Sequence, residues 1–137
     1  MQPHYWSIDR LPGLPEKEQK LLQNLGITTT KHLLNQAYTP QAKQTLANSL
    51  EIHIKYVNKW VALADLASIP SVGCQYCGLL LHAGIASVKQ LAQTPIHRLH
   101  PHIMRLHVST MQRKDLCPSV EMVKQWIKEA QLLALSH

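Results

Sequence analysis

A chain of 137 residues, 45% apolar and 16% charged, can bury its own core as one compact unit or as two small modules sharing a core. Its longest uncharged apolar runs fall well short of the ~20 residues that cross a bilayer, which excludes a helical membrane span. Three cysteines and no basic and apolar leader in MQPHYWSID argue against a secreted disulfide framework, and the expectation is reduced thiols in a cytoplasmic protein.

The formal charge of +6 is unevenly spread. Residues 1–67 carry seven Lys/Arg against five acids, and residues 68–137 carry seven against three. Between Asp65 and Asp115 there is no acidic residue, while Lys89, Arg98, Arg105, Arg113, Lys114 and five of the nine histidines fall inside that gap. Such a stretch attracts polyanions, although basic residues also serve simply to solvate a face.

In chain order, the segment around Trp6 is left open as either a tail or a strap onto the body. Pro12-Gly13-Leu14-Pro15 forms a turn, after which leucines three and four apart run into Gly26, the expected place for a left-handed helix cap. A short helix follows the cap, and Thr39-Pro40 supplies an N-cap with proline at the first helical position. Ser49 is expected to open the segment 50–67, in which Ile52, Tyr56, Trp60 and Leu63 recur at helical spacing.

The plan then repeats. An offset of 58 brings residues 11–34 onto 69–92: Pro12 meets Pro70, Leu14 meets Val72, Gly26-Ile27 meet Gly84-Ile85, and Leu33 meets Leu91. Thr94-Pro95 mimics Thr39-Pro40, and Cys117-Pro118-Ser119 opens 119–135, with Val120, Val123, Trp126, Ile127 and Ala130 in helical register. Here Val57 and Trp60 meet Val123 and Trp126 at an offset of 66, so the second copy carries eight extra residues. The expectation is an all-α protein of two tandem repeats, 1–67 and 68–137 with the insertion, each copy burying its apolar face against the other.

The pattern of Pro-Gly-apolar turn, helix and apolar-Gly-Ile cap resembles the helix-hairpin-helix motif. The stretch from Ile69-Pro-Ser-Val-Gly73 through Ala83-Gly84-Ile85 to Trp126-Ile127 and Ala130 is similar to the domain-of-unknown-function 4332 family. That resemblance implies a tandem helix-hairpin-helix fold and no assigned activity.

Glycine beside the apolar residue of such a hairpin lets backbone N–H groups approach a phosphate, aided by the following helix's dipole. Each copy has lost one glycine. Pro15 removes an N–H from the first turn, whereas Ser71 keeps its own, so Ser71, Val72 and Gly73 are the better phosphate candidates. Gly13, Lys17 and Lys20 are the candidates of the first hairpin, where Glu16 and Glu18 offset the lysines. Either hairpin could equally be a packing element.

Cys74 and Cys77 pair by offset with Glu16 and Gln19 at a helix start, where a thiol substitutes for a small apolar side chain. No second Cys-x-x-Cys completes a zinc set, and a helical context does not suit a thioredoxin-like pair. His97, His100, His102 and His107 are read as a basic surface and not as a metal site, because Pro101 interrupts them and no carboxylate orients the rings. No metal and no cofactor are expected.

The eight acids are scattered, and neither a nucleophile elbow nor a glycine-rich nucleotide loop is present, so a non-enzyme is expected. The leading expectation is non-sequence-specific binding of DNA or RNA through Ser71, Val72, Gly73, Lys89, Arg98, Arg105, Arg113 and Lys114. With no Phe and 5% aromatics, a single-strand stacking platform is disfavoured. The alternative is an adaptor with structural hairpins, whose basic face docks an acidic protein, as in a photosynthetic or regulatory assembly.

Overall fold

The computed structural model describes residues 1–111 and 117–135. After a 3-10 turn, Ile8–Arg10, come α1 (Glu16–Asn24), α2 (Thr30–Gln36), α3 (Pro40–Leu50) and α4 (Ile54–Ala67), then α5 (Gly73–His82), α6 (Val88–Ala92), α7 (Ile96–Met111) and α8 (Val120–Leu135). Among the described residues there is no strand, only an isolated antiparallel bridge between Ser7 and Thr29. The protein is all-α.

Local chemistry sets most helix ends. Thr29, Thr39 and Ser87 each accept a hydrogen bond from the N–H three residues on, at 3.2, 3.0 and 3.0 Å. Gly26 and Gly84 close α1 and α5 at φ +83° and +88°. There the Ile27 and Ile85 N–H groups reach back to the Leu22 and Leu80 carbonyls, an arrangement only a left-handed residue allows without strain.

Three expectations about helix ends are corrected. Ser49 does not open a helix: its hydroxyl donates to the Thr45 carbonyl inside α3, and Glu51, at φ +56°, ends that helix. The next helix is capped by His53, whose Nδ1 accepts from the Lys55 N–H at 3.0 Å. Thr94 does not cap α7 either, because its hydroxyl donates to Gln90 O while the Pro95 carbonyl receives the Arg98 and Leu99 N–H groups. Pro101 does not interrupt α7, which runs through it. Proline in a helix interior removes one bond at a cost of roughly 3 kcal/mol. Burial of Leu99 and Ile103 on either side outweighs that cost, with Pro101 itself exposed.

One buried cluster extends from Ile8, Leu22 and Leu33 through Trp60, Leu66 and Ile69 to Leu80, Leu91, Ile103 and Trp126. The α4 helix packs on α5, and α8 packs on α6 and α7. Asp65 of α4 accepts from the Val88 N–H at 2.8 Å and so caps α6 from a distance. The segment before α1 is a strap: the Trp6 indole N–H donates to the Ala67 carbonyl at 2.8 Å, and its backbone N–H donates to the Thr30 hydroxyl at 2.9 Å. The ring lies against Gly73, which has φ +55° and no room for a Cβ, since one would come within 3.0 Å of the indole.

Candidate docking surface

The second turn is built from Pro70 to Gly73, and its donors are already engaged. The Ser71 N–H donates to one carboxylate oxygen of Glu129 at 2.9 Å, and the Ser71 hydroxyl donates to the other. Gln125, one helical turn back on α8, donates to the same carboxylate at 2.7 Å. The Val72 and Gly73 N–H groups both donate to the Ile69 carbonyl. Glu129 is 2% exposed, and a carboxylate so buried needs these donors to offset its lost hydration. A carboxylate of the chain itself therefore takes up the Ser71 donors that the phosphate expectation required.

The first turn is more open. Gly13 is exposed at φ +72°, and the Lys59 ammonium lies 3.5 Å from where its Cβ would stand. Lys17 and Lys20 are exposed on α1, and Lys20 lies 3.6 Å from Glu16, so part of its charge is spent locally. Beside the turn is a cavity of about 330 Å³. Ile52, Tyr56, Lys59 and Trp60 line it from α4, and Gly13, Pro15 and Glu18 from the other side.

The outer face of α7 carries the basic side chains. Arg98 and Arg105 are exposed, and seven residues of helix, about 10 Å of rise, bring them onto one side. His97 and Pro101 are exposed with them, while Leu99, Ile103 and His107 are buried on the opposite side. The histidines therefore do not share a face. His100 turns instead to the Pro118 carbonyl, at 3.0 Å. Lys89 is exposed on a different helix, α6, and Arg113 and Lys114 lie outside the described residues.

Burial pushes the Cys77 thiol up from 9.0 to about 12, with the neighbouring Cys74 adding to the rise. Burial also raises Cys74, partly opposed by Arg10, and raises Cys117. Thiols raised in this way stay protonated at neutral pH and are poor ligands and nucleophiles. Among the described residues, no group of three His, Cys, Asp or Glu side chains is placed to hold a metal. No described helix is long and apolar enough to cross a membrane.

Sequence reasoning did not foresee Glu129, Gln125 or Lys59. A signal for Glu129 existed: it shares the stripe of Val123, Trp126, Ala130 and Leu133, which are all buried, so an acid stood on the core face of α8.

Residues 12–133 match the family model described as a domain of unknown function (DUF4332). No curated protein and no solved structure matches the chain.

Proposed function

We propose, for a chain that belongs to the DUF4332 family, a non-enzymatic docking function in which the outer face of α7 binds an acidic surface of a partner protein. The observation that carries this reading is the Glu129 carboxylate on Ser71. A phosphate at the second turn would have to displace a buried carboxylate held by three hydrogen bonds, so the donors that nucleic-acid binding would use there are engaged. The turn then acts as a fold element, and the exposed basic side chains of α7 remain for a partner. Arg98 and Arg105 supply it as side chains able to take carboxylates in pairs of hydrogen bonds.

A second reading keeps DNA or RNA as the partner. The exposed Gly13 turn, with Lys59 beside it and Lys17 on the next helix, favours it, because such a turn can offer backbone donors to a phosphate. The two readings separate in one experiment. Fluorescence anisotropy of labelled poly-glutamate and of duplex DNA is followed from about 50 to about 300 mM salt, with wild type, Arg98→Glu/Arg105→Glu and Gly13→Pro. Docking predicts that poly-glutamate binds and that the arginine pair abolishes it. Low-micromolar DNA binding that survives the arginine changes and is lost on Gly13→Pro would replace docking with the nucleic-acid reading.

A further inference from the structure

Trp60 and Trp126 hold paired positions at the offset of 66, and their surroundings differ in one respect. Against Trp126 the ring of Tyr76 packs at a centroid distance of 5.0 Å and an interplanar angle of 41°. The position paired with Tyr76, at the offset of 58, is Glu18, which brings no ring. Where the second half has tyrosine on tryptophan, the first half has the cavity of about 330 Å³, lined by Trp60, Tyr56 and Ile52 among others. That volume lies at the lower end of the roughly 300–1,000 Å³ typical of ligand sites.

Charge around the cavity follows the same comparison. Gln125, which holds the Glu129 carboxylate, is paired at the offset of 66 with Lys59, while Glu129 itself is paired with the buried Leu63. The first half therefore retains a side chain able to hold a carboxylate, with a leucine where the second half has the carboxylate. Lys59 lines the cavity, and Lys55 stands 5.2 Å over the ring of Tyr56. Neither lysine forms an ion pair among the described residues. Glu18 is the one acid in the lining and is half-buried.

We infer that this cavity receives an aromatic side chain carried on an acidic segment of a partner protein, with Lys59 pairing to a carboxylate beside that ring. The site is separate from α7. It shares with the docking reading only the class of partner, and either can fail alone.

The test uses the full chain labelled with ¹⁵N, with the Trp60 indole resonance assigned by Trp60→Phe. It is titrated with the peptide Asp-Glu-Tyr-Glu-Asp, with the same peptide carrying Ala for Tyr, and with duplex DNA. The expected result is a saturable shift of the Trp60 resonance with the tyrosine peptide alone. Binding falls roughly tenfold or more with the alanine peptide and in Lys59→Ala. Glu18→Tyr, which supplies the missing ring from within, raises Tm and blocks the peptide. Arg98→Glu/Arg105→Glu leaves the shift in place, which separates this site from the α7 face. Equal shifts from the tyrosine and alanine peptides, a matching shift from DNA, no shift at millimolar tyrosine peptide, or undiminished binding in Glu18→Tyr would each overturn the inference.

Discussion

Glu129 is a buried carboxylate with no cation as partner among the described residues, held by the Ser71 N–H, the Ser71 hydroxyl and the Gln125 amide. Hydrogen bonds to a charged group are stronger than neutral ones, and leaving their donors unmet is what makes a truncation costly. Glu129→Ala is expected to lose about 1–3 kcal/mol in urea denaturation. Ser71→Ala, which keeps the backbone donor, should lose less. An equal loss in both would mean that the backbone contact contributes nothing.

Cys77 gives a prediction in pH. Its thiol is raised from 9.0 to about 12 in the fold, so between those values the folded chain holds a proton that the unfolded chain releases. Stability from this group is therefore complete below about pH 9 and falls as pH rises toward 12. Thermal melts from pH 8 to pH 11 should show a shallower alkaline decline in Cys77→Ala than in wild type. Parallel declines would show that the thiol is ionised as readily in the fold as outside it.

Among the elements, α7 combines two separable properties. Its inward residues Leu99 and Ile103 anchor it, while Arg98 and Arg105 project from the other side and form no ion pair among the described residues. Reversing both arginines should therefore change stability by no more than about 0.5 kcal/mol each, whatever it does to binding. A drop of several kcal/mol would mean that the arginines hold the fold itself.

The elements also show what could be read in advance. Thr39, Gly26 and Gly84 were legible because a cap is local chemistry, set within four residues. Ser49 was not, because a serine hydroxyl can cap a helix or bond back to a carbonyl four residues earlier. Here the left-handed Glu51 decided it, a conformation that residue type does not favour. Arg98 and Arg105 were legible as candidates from the acid-free stretch alone, but not as one face, because a helix continuous through Pro101 was not expected. The engagement of Ser71 did not, since its partner is 58 residues away and only packing brings it near. The cavity beside Trp60 was hidden for a related reason: its lining joins Gly13, Pro15 and Glu18 to side chains of α4 that only packing brings near.

For the whole molecule, the two halves are tied by more than a shared core. Asp65 caps α6, α4 packs on α5, and Trp6 bonds to Thr30 and to the carbonyl of Ala67 while its ring covers Gly73. A single unfolding transition is expected by far-UV circular dichroism and by tryptophan fluorescence alike. Trp6→Phe removes the indole donor and leaves the buried Ala67 carbonyl without it, which should cost about 1–3 kcal/mol without splitting that transition. Two separated transitions in wild type would mean that the halves melt independently.

The indole of Trp6 also sets an order in time. Its hydrogen-bond partners lie 24 and 61 residues further along the chain, so this early-synthesised side chain has no complete seat until α4 has been made and α5 has begun. Helices that need only neighbours four residues away form on a much faster clock than a closure spanning 61 residues. In refolding, helical circular dichroism should therefore recover ahead of the Trp6 emission, isolated by comparison with Trp6→Phe, so that the segment nearest the start of the chain is the last to find its place.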